Sequence, residues 1–166
     1  MNIEIFDRQS IKDTPLLENI INLDIENMRE VFEHSEMGHP IDKRKESFNF
    51  PGILIAAFAF DELAGYLEYG PGWDNPDDIY ISSVQIKQKY RNTKLFAELL
   101  HTAKKDLERK NFKNIISAVQ KTNINAIKIF RKLGFLIEDK ENNQKSYRLI
   151  APKNKILLWV KRIVMN

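Results

Sequence analysis

The sequence predicts a mixed α/β domain, with a central sheet of about seven strands flanked by helices. Three observations predict it. Apolar residues recur at spacings of three and four over residues 16–33, 93–109 and 123–133, the period of a helix with one buried face. Short alternating or continuous apolar runs lie between and around those segments, at 3–6, 53–60, 62–69, 79–86 and 115–119. Two further runs, 135–139 and 146–150, flank the polar turn KENNQK and close the chain as a hairpin. The resulting order is β-α-α-β-β-β-α-β-α-β-β.

Taken in order, Ile3 to Phe6 alternates apolar and polar residues and reads as a first strand. Leu16, Leu17, Ile20, Ile21, Ile25, Met28 and Val31 then share one helix face. HSEMGHP breaks the pattern, and a second, more polar helix is expected over 41–49. ILIAAFAF (53–60) is apolar on both faces, the pattern of a central strand. It turns at Phe60-Asp61-Glu62 into the strand ELAGYLEY. GPGWDNPDD (70–78) is the clearest loop, and IYISSVQI (79–86) the strand after it. Leu95, Phe96, Leu99, Leu100, Ala103 and Leu107 form the next helix face, and IISAV a short buried strand.

At 166 residues the chain is expected to be one domain, with 43% hydrophobic and 30% charged residues, as in ordinary globular proteins. The net charge of +3 favours a polyphosphate ligand, but basic residues are interspersed with acids, so no nucleic-acid partner is expected. No cysteine is present, which excludes disulfides, thiolate catalysis and cysteine metal sites. No signal peptide is expected from the acid-containing first twenty residues. The longest apolar run, 53–60, is too short to span a bilayer. A cytoplasmic location is the expectation.

TNINAIKIFRKLGF (122–135) carries the most information. Asn123 can cap a helix through its side-chain oxygen, Ala126, Ile127, Phe130 and Leu133 make the buried stripe, and Gly134 supplies the left-handed stop. Any αβ junction could use these parts. The spacing N-x-x-A-x-x-x-(Tyr/Phe)-x-x-x-G-F, preceded by strand–helix–strand, nevertheless resembles the GNAT superfamily of acyl-CoA-dependent N-acyltransferases. The upstream segment YISSVQIKQKYRNTKLFAELL adds Ile86 in the place of the strand-ending valine, the pair Tyr90-Arg91, and the helix face of Leu95, Leu99 and Leu100.

The resemblance implies acetyl-CoA as acyl donor and a primary amine, small molecule or peptide, as acceptor, joined by direct attack in a ternary complex. It implies that the strand bearing Val84, Gln85 and Ile86 splays from the strand 115–119 and receives the pantetheine arm on unpaired backbone amides. Arg91, Asn92, Thr93, Lys94, Leu95 and Phe96 would face the pyrophosphate at the helix start. Asn123 and Phe130 would complete the cofactor side. Tyr80, Ser82 and Glu68 are the expected proton acceptors or relay groups, and His34, Glu36 and His39 the soft candidates on the acceptor side. No metal is expected, since two histidines and one glutamate make a poor site.

Two features depart from the family pattern. Asn92, Lys94 and Phe96 fill the three glycine places of the phosphate loop, where a Cβ obstructs close approach of backbone to phosphate. Phe130 stands where many members carry a proton-donating tyrosine; a thiolate leaves with little assistance, so transfer would be slowed rather than abolished. These departures also fit a second reading, a catalytically silent module of the same fold with weak or no CoA affinity. Asp74, Asp77 and Asp78 either face solvent or attract a cationic acceptor. Residues 153–166 have helical apolar spacing, which suits packing on the domain, a homodimer contact or an interfacial helix.

Overall fold

The computed structural model describes residues 1–33, 41–138 and 145–158. Its elements are β1 (Asn2–Asp7), α1 (Pro15–Glu33), α2 (Ile41–Ser47), β2 (Ile53–Ala59), β3 (Glu62–Pro71), β4 (Ile79–Ile86), α3 (Leu95–Glu108), β5 (Asn114–Gln120), α4 (Ile124–Lys132), β6 (Leu136–Glu138) and β7 (Ser146–Pro152). This is the expected order. Two 3-10 turns, Arg8–Ile11 and Gln88–Tyr90, escape the sequence reading because each is too short to show an apolar period, and a third spans Lys153–Leu158. The strands form one mixed sheet in the order β1-β2-β3-β4-β5-β7-β6.

The chain groups into two compact units, Met1–Tyr69 with Ser83–Leu99, and Gly70–Ser82 with Leu100–Asn166. In the first, β1 pairs antiparallel with β2 from Asn2↔Phe58 to Asp7↔Ile53, and β2 with β3 from Ile53↔Tyr69 to Ala59↔Glu62. Leu54, Ile55, Ala56 and Ala57 are fully buried, which is why this strand carries no polar face. Leu17, Ile20, Ile21 and Leu23 of α1 pack with Ile11, Phe48, Leu54, Leu63 and Tyr66. Each large aliphatic side chain so buried contributes roughly 1.5–3 kcal/mol. Gly65 is required by close approach, since a Cβ there would lie 2.7 Å from the backbone oxygen of Gln85.

In the second unit, β5 pairs antiparallel with β7 along its whole length, Asn114↔Pro152 to Gln120↔Ser146, and β7 with β6 from Leu136↔Ile150 to Glu138↔Arg148. The parallel ladder of β4 with β5 covers only Ile79↔Ile115 to Ile81↔Ser117, although β4 runs on to Ile86 and β5 to Gln120. Leu100, Ala103 and Leu107 of α3 are buried, as are Ile115, Ile116, Val119, Ile127, Leu133, Phe135 and Leu149. Asn123 caps α4 by accepting from the Ala126 N–H at 3.1 Å, and Gly134 ends it at φ 93°. Residues 153–158 form a 3-10 turn rather than the start of the expected α-helix, and 159–166 lie outside the described residues.

Candidate active site

In the first unit the site is built from the end of β4, the turn after it and the start of α3. Beyond its ladder with β5, β4 is only half-buried from Ser82 to Ile86. The 3-10 turn Gln88–Tyr90 leads to Asn92, whose φ of 63° is left-handed. Thus the first of the three glycine places keeps the backbone shape that glycine favours. Asparagine is one of the few L-residues that adopts it cheaply. Thr93 then ties the loop: its hydroxyl donates to the Tyr90 carbonyl at 2.7 Å and accepts from the Leu95 N–H at 3.2 Å. α3 starts at Leu95, two residues later than expected, because Thr93 acts as its cap. The next N–H groups, those of Phe96 and Ala97, lie in the first helical turn, where no carbonyl four residues back is available within the helix. They stand at its positive end, a setting suited to an anion.

Several of the nearby cations are engaged. The Arg91 guanidinium donates to Asn27 Oδ1 at 2.6 Å and to the Ile86 carbonyl at 3.2 Å. Asn27 in turn donates to that carbonyl and to Gln85 Oε1, both at 3.0 Å, so α1 ties down the end of β4. Lys87 and Lys89 both pair with Glu62, and the hydrogen bond from Lys87 is the main cause holding the Glu62 carboxyl at about 2. Lys94 is exposed and makes no ion pair among the described residues.

Glu68, expected as a proton acceptor, is fully buried instead, with both oxygens on guanidinium groups. Oε1 accepts from Arg8 at 2.8 Å and from Arg44 at 3.2 Å, while Oε2 accepts from Arg44 at 2.7 Å. Burial works to raise its pKa, but Arg44 and then Arg8 outweigh that and hold it below the usual carboxylate range. A carboxylate so held and shielded is a poor base. Arg44 also donates to Asp24 Oδ2 at 2.8 Å and to the Tyr66 hydroxyl at 3.2 Å, and lies 4.6 Å from the Phe48 ring centre. Tyr66 donates a short hydrogen bond to Asp24 Oδ1 and lies 3.0 Å from Ser83 Oγ. Burial pushes the Asp24 carboxyl up, against the opposing pull of Arg44 and Tyr66.

Sequence reasoning did not find Asp24, Tyr66, Ser83, Arg44 or Arg8. One signal was available. Asp24 follows Leu17, Ile20 and Ile21 at helical spacing, an acid inside an apolar stripe.

In the second unit Tyr80 leans on Trp73, ring centres 4.9 Å apart and 51° between planes. Together they line a cavity of about 260 Å³ with Ala118, Glu138, Tyr147 and Arg148. Arg148 Nε lies 2.7 Å from Glu138 Oε2, and its Nη1 pairs with Asp74 Oδ2. The expected solvated acids of the 70–78 loop differ from one another. Asp78 is buried and accepts from the Asn114 backbone N–H and side-chain amide at 3.1 and 3.0 Å, which anchors the loop to β5. Asp77 pairs with Lys113 at 2.7 Å. Phe130 is half-buried, edge-to-face with Phe135 at 4.9 Å. His34, Glu36 and His39 lie outside the described residues.

The seven-stranded mixed sheet flanked by helices has the fold of the GNAT acetyltransferases. The sequence model of the acetyltransferase (GNAT) family matches residues 17–135, and the chain belongs to that family. Solved structures share the fold. The PaiA N-acetyltransferase of Thermoplasma acidophilum, in complex with coenzyme A, is 19% identical with a TM-score of 0.68, over 92% of this chain and 99% of that one. An acetyltransferase of Thermus thermophilus is 16% identical at 0.68, over 92% and 97%. An aminoglycoside 6'-acetyltransferase type Ii is 18% identical at 0.66, over 92% and 97%. No curated protein sequence matches the chain significantly. No helix among the described residues is long and apolar enough to cross a membrane.

Proposed function

We propose that the protein is an acetyl-CoA-dependent N-acetyltransferase acting on a primary amine of a small molecule or peptide. The left-handed Asn92 carries this reading, because it preserves the backbone of a phosphate loop after its glycines have been replaced. The N–H groups of Phe96 and Ala97 would hold the pyrophosphate, with Lys94 supplying positive charge in place of lost backbone contacts. The backbone of Val84, Gln85 and Ile86, past the end of the β5 ladder, would hydrogen-bond the pantetheine amides. Bound acetyl-CoA supplies an acyl group already activated as a thioester. The Val84 and Ile86 amides would favour charge developing on its carbonyl oxygen. Asn27 and Arg91, by fixing the Ile86 carbonyl, keep that strand end in place. With no cysteine in the chain, transfer proceeds directly to the amine.

Calorimetry with acetyl-CoA tests the reading. Micromolar binding that weakens on Lys94→Ala is expected; no binding at millimolar acetyl-CoA would leave the silent module as the remaining reading.

A further inference from the structure

We infer that Ser83, Tyr66 and Asp24 form a proton wire that draws a proton off the acceptor amine. The inference rests on the acetyltransferase reading and adds to it the destination of the proton.

The direction follows from counting hydrogens. Tyr66 has one hydroxyl proton, and Asp24 Oδ1 takes it. Arg44 donates to the same hydroxyl, so the contact with Ser83 at 3.0 Å must be donated by Ser83. With its only proton turned inward, Ser83 Oγ can offer nothing but lone pairs to a newcomer. A long contact from Gln85 Nε2, 3.5 Å, makes weak use of one of them. Ser83 is half-buried, whereas Tyr66 is fully buried and Asp24 nearly so, which makes Ser83 the entry to the wire. It also lies on β4 two residues past the last pair of the β5 ladder, in the stretch where the thioester is proposed to sit.

The terminus suits a proton acceptor. Among the described residues, Asp24 is faced by Arg44 from α2 and by Tyr66 and Glu68 from β3. Glu68 remains an anion, paired with Arg8 and sharing Arg44, so it repels the Asp24 anion while Arg44 stabilises it. Burial is the main cause that raises the Asp24 pKa, against the pull of Arg44 and Tyr66, with Glu68 adding a smaller upward push. In the transfer, the neutral amine, its ammonium proton already lost to solvent, bonds the acetyl carbon through its nitrogen lone pair, and the carbon–sulfur pair leaves with the thiolate. The amine proton passes to Ser83, that of Ser83 to Tyr66, and that of Tyr66 to Asp24. Both hydroxyls end as they began. Asp24 returns its proton along the same path, and the thiolate takes one up from solvent.

Thiol release from acetyl-CoA is followed between pH 5 and 9 with spermidine and with a short lysine-bearing peptide as probe amines. Tyr66→Phe and Ser83→Ala are expected to lose at least tenfold in kcat near neutral pH and to change the acid limb of the profile. Acetyl-CoA affinity should stay the same, and Ser83→Thr should restore the rate. Ser83→Ala leaves the arginine network untouched, and so serves if Tyr66→Phe does not fold. In the ligand-free protein, carboxyl carbon NMR should find Asp24 titrating above surface aspartates, and higher still in Tyr66→Phe. A wild-type protein that binds no acetyl-CoA overturns the underlying reading. One that transfers while both variants keep its pH profile overturns the wire alone, as does an Asp24 that titrates like a surface carboxylate. Acetyl-CoA binding without transfer to either amine counts against both.

Discussion

Replacing Glu68 by glutamine separates a structural anchor from a catalytic base. The carboxylate is fully buried and receives hydrogen bonds from Arg8 at 2.8 Å and from Arg44 at 3.2 and 2.7 Å. With Asp24 it balances those two arginines charge for charge, and Glu68→Gln leaves one positive charge uncompensated in the interior. Breaking such a buried pair by removing one partner costs about 3–5 kcal/mol. For a chain of this size each 1 kcal/mol lowers Tm by about 2–4 °C, so a fall of about 6–20 °C is expected. Circular dichroism melts, with urea unfolding as a check, measure it. Adding Arg8→Met to Glu68→Gln should recover part of the loss, since it restores charge balance. A variant melting within about 2 °C of the parent but devoid of activity would refute the reasoning and restore Glu68 as the base.

Other outcomes follow from single contacts. Asn92→Val forces a β-branched residue into φ 63° and should cost about 1–2 kcal/mol and weaken acetyl-CoA binding, with Asn92→Gly binding as well as or better than wild type; equal affinities in calorimetry would show that the loop's backbone shape does not matter. Asn123→Ala removes the cap on the Ala126 N–H and should cost about 1 kcal/mol in urea unfolding. Glu62, held at about 2 by Lys87 and Lys89, should keep its ion pairs as pH falls through the ordinary 4.5 and lose them only near the depressed value. Carboxyl NMR should show this, with titration returning towards 4.5 in the Lys87→Ala, Lys89→Ala protein. Gly65→Ala places a Cβ against the Gln85 carbonyl and should destabilise by about 1–3 kcal/mol, read from thermal melts.

Much of this was legible along the chain. Apolar period alone located α1, α3 and α4, and the spacing from Asn123 to Phe135 pointed to the family. The cap on α4 is where Asn123 implied it, because capping reaches only three residues along the backbone. Asn92 looked like damage to a glycine loop, but its backbone is left-handed, the conformation glycine adopts most readily. Glu68 was singled out for its type, as a carboxylate on the strand before β4, but the type does not say what faces it. Asp78 was read as a loop acid, and it is buried because Asn114, 36 positions later, comes to lie beside it.

Element order, helix faces and the cap on α4 were therefore written into the linear chain, since each depends on residues within a few positions of one another. The fate of the charges was decided only on folding. Arg8, Asp24, Arg44 and Glu68 come from four separate elements, with 60 positions between the first and last. Each by itself would look solvated. They are stable in the interior only as a neutral set, and burying any one of them requires the others to arrive at the same place.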